Sequence, residues 1–268
     1  MMKPNMGPYR LLLALSLLVG AGAAQAQAFD AVRLLAVPRD DGQGLVGVAV
    51  VAGHEFLGSD ERKTRVLPAL SYQWKNGWFA GTENGVGYKF PSPPNMQYGL
   101  RATLDLGRDE SDSPVLAGMG DIDMRPEFGA FFNYLITDEW FLTTSFRYGA
   151  GNDRNGSQTD VGLGWSSQIA PQWRLGFGLA ATYVNSDYMQ AYFGVTPDQS
   201  VTSGYAVYSP GKGWRDVRGS AVLTYFFDAH WSLTAAVTVR SLQGNVTDSP
   251  IVTETTPVAG VLALGYTF

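Results

Sequence analysis

The sequence predicts an all-β protein: an antiparallel transmembrane β-barrel of about 12 strands, with 10 as the alternative count, preceded by a cleavable signal peptide. Three observations predict it. Hydrophobic side chains alternate with polar or tiny ones over stretches of about 10 residues, a tryptophan follows several short polar turns, and the composition suits neither a soluble globule nor a helical membrane protein. Charged residues are only 16% of the 268, against about 25% in ordinary soluble domains. Aromatics reach 13% and there are 32 glycines, so the chain is too apolar to stay disordered. A mean hydropathy of -0.05 leaves no room for several helical spans of about 20 apolar residues each. The absence of cysteine excludes a disulfide scaffold, thiol catalysis and cysteine-held metal.

The N-terminus is laid out as a secretory signal. Lys3 and Arg10 precede an apolar run from Leu11 to about Ala24, and small residues follow. The run is too short for a permanent helical span. Cleavage after Ala26 makes 1–26 the signal, and a second A-x-A site would move it to Ala28. Residues 27–42 are then an N-terminal periplasmic segment, and 43–268 the barrel. Loss of Lys3 and Arg10 takes the formal charge from -5 to -7, which disfavours binding to a nucleic-acid backbone. Secretion without cysteine points to a bacterial envelope.

Strands are expected at roughly 43–54, 64–74, 78–90, 97–106, 121–134, 140–149, 158–169, 173–185, 214–227, 231–241 and 256–268. In 98–106 the even positions are Tyr98, Leu100, Ala102, Leu104 and Leu106, while Arg101, Thr103 and Asp105 lie between them. In 161–169 Val161, Leu163, Trp165 and Ile169 alternate with Gly162, Gly164, Ser166 and Gln168. Such alternation marks strands with one apolar face. A soluble sandwich and a membrane barrel both produce it. Strand length, near the 9–11 residues of a tilted membrane strand, favours the barrel, as does an opposite face rich in Gly, Ser and Thr.

Eleven strands cannot bring both termini to the periplasmic side, which needs an even number. Either Tyr188–Val195 is an additional strand, giving 12, or two of the early segments are one, giving 10. Segment 186–213 is otherwise irregular, with Thr196-Pro197-Asp198 as a helix start. The connections 107–120 and 242–255, rich in Asp, Ser and Gly, are expected on the outer face.

Trp78, Trp140, Trp173 and Trp231 each follow a short polar turn, which predicts an aromatic girdle at one membrane interface. The last stretch alternates through Val258, Gly260, Leu262, Leu264, Tyr266 and Phe268. It resembles the C-terminal signal of outer-membrane barrels, in which Tyr266 and Phe268 would be read by the barrel assembly machinery.

Charged residues on the inward faces, Arg101, Asp105, Arg125, Glu127, Arg147, Arg174 and Arg218, either pair across the lumen and plug it or line a narrow pore. Both fit 12 strands, since 8 strands are filled by side chains and 16 leave a channel. Catalysis has one candidate, a rim hydrolase or acyltransferase built on His54 with Ser59 and Asp60 or Glu55. A histidine at a strand end is more often a structural or interfacial residue. His54 and His230 lie too far apart for a metal motif, and no cofactor is expected.

Several segments resemble the MipA/OmpV family of outer-membrane proteins. They are Gly58-Ser59-Asp60 with Leu67-Pro68, Trp74-Lys75-Asn76-Gly77, Gly120-Asp121-Ile122-Asp123 and, most specifically, Asp187-Tyr188-Met189-Gln190-Ala191-Tyr192-Phe193-Gly194-Val195-Thr196-Pro197. Trp231-Ser232-Leu233, Leu242-Gln243-Gly244 and Asp248-Ser249-Pro250-Ile251 extend the resemblance to the last strand. It implies a location in the outer membrane of a Gram-negative bacterium, in contact with its lipid. It further implies a scaffold that links a lytic murein transglycosylase to a peptidoglycan synthase in cell-wall remodelling; porin-like permeability for small polar solutes and adhesion are the family's other associations. The family brings no catalytic motif, and the sequence does not fix the oligomeric state.

Overall fold

Twelve antiparallel strands pair in sequence order and the last closes on the first, giving a barrel without a free end. The computed structural model describes residues 42–268. The predicted signal peptide and, but for Gly42, the N-terminal segment lie outside the described residues. The strands are β1 (Gly44–His54), β2 (Arg62–Gln73), β3 (Trp78–Gly81), β4 (Gly85–Lys89), β5 (Met96–Asp105), β6 (Arg125–Leu135), β7 (Trp140–Ala150), β8 (Gly156–Ala170), β9 (Trp173–Val184), β10 (Gly213–Phe226), β11 (Trp231–Leu242) and β12 (Val258–Thr267). β1 meets β12 from Leu45 opposite Thr267 to Ala52 opposite Gly260. Closure pairs the edges of β1 and β12, which hydrocarbon would otherwise leave unsatisfied.

The twelfth strand comes from dividing 78–90. Thr82, Glu83 and Asn84 turn the chain, with Gly85 at φ 70°, so β3 and β4 form a short hairpin in place of one long strand. The expectation of a strand at Tyr188–Val195 is corrected: Ser186–Phe193 is helix α1. Its apolar residues Tyr188, Met189, Tyr192 and Phe193 recur at i, i+1, i+4 and i+5, the spacing of one helical face. Asn185 caps it by accepting from the Tyr188 N–H at 3.0 Å. Helix α2 (Pro197–Ser203) follows, started by the Thr196 capping box and stopped at Gly204 with φ 82°, as the Thr-Pro-Asp signal predicts.

Alternation decides what faces lipid. On β1, Val46, Val48 and Val50 are exposed while Ala49 and Val51 are buried. On β9, Phe177 and Leu179 point outward, and Gly178 and Ala180 inward. Trp78, Trp140, Trp173 and Trp231 open β3, β7, β9 and β11 and are all exposed. Odd-numbered strands start at one end of the barrel, so the four tryptophans share that end. Three pack on a tyrosine directly across the ladder: Trp78 on Tyr88, Trp173 on Tyr225 and Trp231 on Tyr266, with ring centroids 5.5, 4.7 and 5.1 Å apart. Tyr183 and Trp214 form a matching pair near the other end. Ten residues separate Trp173 from Tyr183, about 25 Å of rise for a tilted strand, the height of an outer-membrane apolar band.

Connections at the tryptophan end are short, from 171–172 to 90–95. The opposite end carries 106–124, 185–212 and 243–257. Short turns belong to the periplasmic side and long loops to the outside. The long loops build a cap. Met189 and Phe193 pack with Ala150, Val184, Leu242 and Val246. Phe56, Leu116, Met119, Val195 and Ile251 form a second cluster.

Candidate functional site: the barrel lumen

The lumen divides into a sealed outer part and a hollow periplasmic part. The seal is a ring of buried charges. Glu127, on β6, accepts from Gln158 Nε2 at 2.8 Å, and Gln158 Oε1 accepts from Arg215 at 3.2 Å. Arg215 Nε lies 2.7 Å from Asp216, whose other oxygen is 3.0 Å from Arg218. Arg218 continues to Asp160 at 3.1 Å, Asp160 to Arg147 at 2.9 Å, and Arg147 returns to Glu127 at 3.5 Å. Arg240 leans on Asp216 at 3.6 Å. Asp216 has no exposed area, and Glu127 is 1% exposed. Charges this deep are tolerable only when paired and hydrogen-bonded.

Local structure explains the ring. Arg147, Asp160 and Arg218 lie on the inward faces of β7, β8 and β10. Arg215 is an extra residue in β10, where the register steps from Trp214 to Asp216. That bulge turns both Arg215 and Asp216 into the lumen, which regular alternation would forbid.

The cap closes over the ring. The Tyr188 hydroxyl accepts from Arg215 at 2.7 Å, and Tyr188 stacks on Tyr192 at 4.7 Å. Burial pushes the Tyr188 phenol up to about 12, so it stays neutral and serves as acceptor. Tyr192 donates to Asp105, and its backbone carbonyl accepts from Arg108 at 3.0 Å. Burial lowers the Arg108 guanidinium to about 10.

Below the ring lies a cavity of about 610 Å³, within the size range of ligand sites. Ala49, Ala180, Val222 and Val261 make an apolar side; Arg101, Thr143, Ser145 and Arg174 are among its polar lining. The lining runs to Asn95, Asp138, Glu139 and Thr267, residues of the periplasmic turns and rim. The mouth is therefore periplasmic.

The inward charges named from sequence are thus distributed over distinct places. Glu127, Arg147 and Arg218 join the ring, while Asp105 accepts from Tyr192 of α1. Arg101 lies beneath, donating to Ser145 at 2.6 Å and Asn84 at 3.3 Å, with its guanidinium 5.7 Å from the Phe131 ring. Arg174 lines the lower cavity. Arg125 sits at the outer end, paired with Asp123 at 2.6 Å. Asp160, Arg215, Asp216 and Arg240 were not singled out from sequence. Alternation alone reaches Asp160 and Arg240, whereas Arg215 depends on the bulge.

His54 is 2% exposed and both ring nitrogens meet backbone: Nδ1 lies 2.5 Å from the Ser59 carbonyl, and Nε2 accepts from the Val258 N–H at 3.2 Å. Ser59 Oγ instead accepts from the Glu61 N–H. The ring braces a loop, and no Ser-His-Asp relay forms. Glu55 pairs with Lys63 and Arg65. At the opposite end Phe268 and Gly44 exchange backbone bonds of 3.0 and 2.9 Å.

The class is therefore a small outer-membrane β-barrel whose outer end is sealed. The profile described as "MltA-interacting protein MipA" matches residues 46–268, and the chain belongs to that family. Curated relatives named MltA-interacting protein, from Escherichia coli and Shigella flexneri, are each 24% identical over 96% of this chain and 97% of theirs. Solved structures similar in fold include the NanC porin (TM-score 0.46, 14% identity, 82% of this chain and 98% of that one) and the KdgM porin (0.46, 11%, 84% and 99%). The protein resides in the Gram-negative outer membrane.

Proposed function

We propose that this barrel is an interaction protein of the envelope, which holds a lytic murein transglycosylase at its periplasmic face and brings it together with a peptidoglycan synthase. The observation that carries the reading is the lumen's asymmetry. Its outer end is sealed by the charge ring and the loop cap, while its hollow faces the compartment where murein lies. Family membership supports the transglycosylase as partner, because the relatives bear the name MltA-interacting protein. A barrel sealed in this way supports binding at its inner end better than passage of solutes. Neither family nor fold supplies catalytic groups, and His54 is committed to backbone contacts.

Affinity capture of the full chain from solubilised envelopes tests the proposal. Murein transglycosylases and a peptidoglycan synthase are expected to enrich over a control barrel. If neither enriches under mild crosslinking, the reading fails.

A further inference from the structure

We propose that the barrel wall carries a lateral window between β2 and β5, through which an acyl-chain amphiphile of the bilayer reaches the lumen cavity. The inference goes beyond the partner reading and does not depend on it. It starts from the shortness of β3 and β4. β2 pairs with β3 only through Ser71–Gln73, and β4 pairs with β5 only through Gly99–Ala102. Above that hairpin, no strand among the described residues lies between Arg62–Leu70 of β2 and Thr103–Asp105 of β5, and the two do not pair with each other. Trp78 belongs to the periplasmic girdle and Gly81 ends β3 three residues later. The hairpin therefore climbs only about 8 Å of an apolar band about 25 Å high.

The chemistry of the edge agrees. The Leu70 carbonyl accepts from the Thr82 N–H at 2.8 Å, and the Leu70 N–H reaches the Thr82 hydroxyl at 3.2 Å. Alternation turns the same backbone groups of Pro68, Val66 and Thr64 towards the window. Proline has no N–H to offer a neighbour and is confined to edges, so Pro68 marks this side of β2 as open. Unpaired backbone is not tolerated against hydrocarbon, but is tolerated where it borders a water-filled cavity.

That cavity is present. Ala69, Ser71, Asn84 and Arg101, which border the hairpin's top, all line the lumen hollow. The occupant follows from the setting. Val66, Leu100 and Leu104, at the outer rim, are 67%, 57% and 51% exposed and lie in the bilayer, so acyl chains are what touches the opening. Inside, the cavity offers an apolar wall for a chain and Arg101 with Asn84 for a polar head. With the outer end sealed, the route runs between bilayer and periplasm.

The chain contains no cysteine, so single labels are clean. A bimane placed on Thr143→Cys, inside the cavity, is expected to be quenched by mid-chain-brominated lipid in nanodiscs. An outward Leu163→Cys label serves as the reference. Narrowing the inner mouth with Ala69→Phe, or separately with Leu67→Phe, should abolish the lumen signal and leave the reference quenched; heat-dependent gel mobility verifies folding of each. A lumen label untouched by brominated chains, or one still equally quenched in both the Ala69→Phe and the Leu67→Phe variants, overturns the proposal. Hydrogen exchange separates a lipid occupant from a protein one. The Val66 and Thr64 amides should exchange faster than the β1-facing amides of β2. Equal protection would mean a polypeptide strand fills the gap, and would overturn the amphiphile.

Discussion

Replacing Asp216 with asparagine removes one negative charge from the centre of the seal with almost no change in shape. The carboxylate is fully buried and lies 2.7, 3.0 and 3.6 Å from Arg215, Arg218 and Arg240. Its loss leaves three guanidinium groups beside one another. Removing one partner of a buried pair costs about 3–5 kcal/mol, far more than the 0–1 kcal/mol of an exposed pair. Arg125 and Asp123, at the outer rim with Asp123 largely exposed, provide that comparison in the same molecule. At a slope of about 3 kcal/mol per molar urea, Asp216→Asn should lower the unfolding midpoint by roughly 1–2 M, while Arg125→Gln should leave it nearly unchanged. Tryptophan fluorescence of the barrel in detergent micelles, read with heat-dependent gel mobility, measures both. Equal midpoints for Asp216→Asn and the wild type, or an equal drop for Arg125→Gln, would refute the claim that the ring is a buried, mutually satisfied unit.

Other consequences are open to similarly direct measurement. Gly129→Ala puts a Cβ 2.0 Å from the Phe146 carbonyl oxygen on the neighbouring strand, so urea unfolding should show a loss of about 1–3 kcal/mol. Wild-type protein in a planar bilayer should give no stepwise conductance, because the buried charges of β6 to β11 lie under the loop cap at the outer end; regular steps altered by replacing Arg147 would contradict the seal. In the periplasmic turns, hydrogen bonds from the Trp231 and His230 amides hold the Asp228 carboxyl below its ordinary range, and bonds from Ser167 and Trp165 do so for Glu139. Lowered folded-state values mean that their stabilisation is complete above the unfolded carboxylate range, near pH 4, and is lost as pH falls through the folded values. Protection factors of the amides in these turns, taken relative to intrinsic exchange at each pH, should fall on acidification, and Asp228→Asn should flatten that fall at residues 228–231. Deleting Phe268 removes its backbone bonds to Gly44 at the closing seam and should reduce the fraction of heat-modifiable barrel in the outer membrane.

The barrel was legible because lipid and lumen impose a period of two on every strand. Tyr98 to Leu106 and Trp173 to Tyr183 each show it along their length. The girdle was equally plain, since a membrane interface holds aromatics at one height and the short turns fix where each strand begins. Residues 78–90 misled because both short strands alternate in the same sense, and only Thr82-Glu83-Asn84-Gly85 betrays the turn. Tyr188–Val195 is rich enough in aromatics to suit a strand, yet its apolar pairs fall at helical spacing. The lumen was legible as a set of charges without connectivity. Alternation points Glu127, Arg147 and Arg218 inward, but which of them meet depends on register across neighbouring strands. The Arg215 bulge, which supplies two members of the ring, leaves no mark on the local pattern beyond two adjacent charges.

The most direct test of a lumen closed outward and open to the periplasm uses a single thiol at Thr143→Cys and a membrane-impermeant maleimide too large for general porins. Intact cells should leave the thiol unlabelled, whereas reagent admitted to the periplasm should label it readily, with an outer-loop cysteine at Asp153 as the positive control for intact cells. Labelling of Thr143→Cys from outside intact cells would contradict the account.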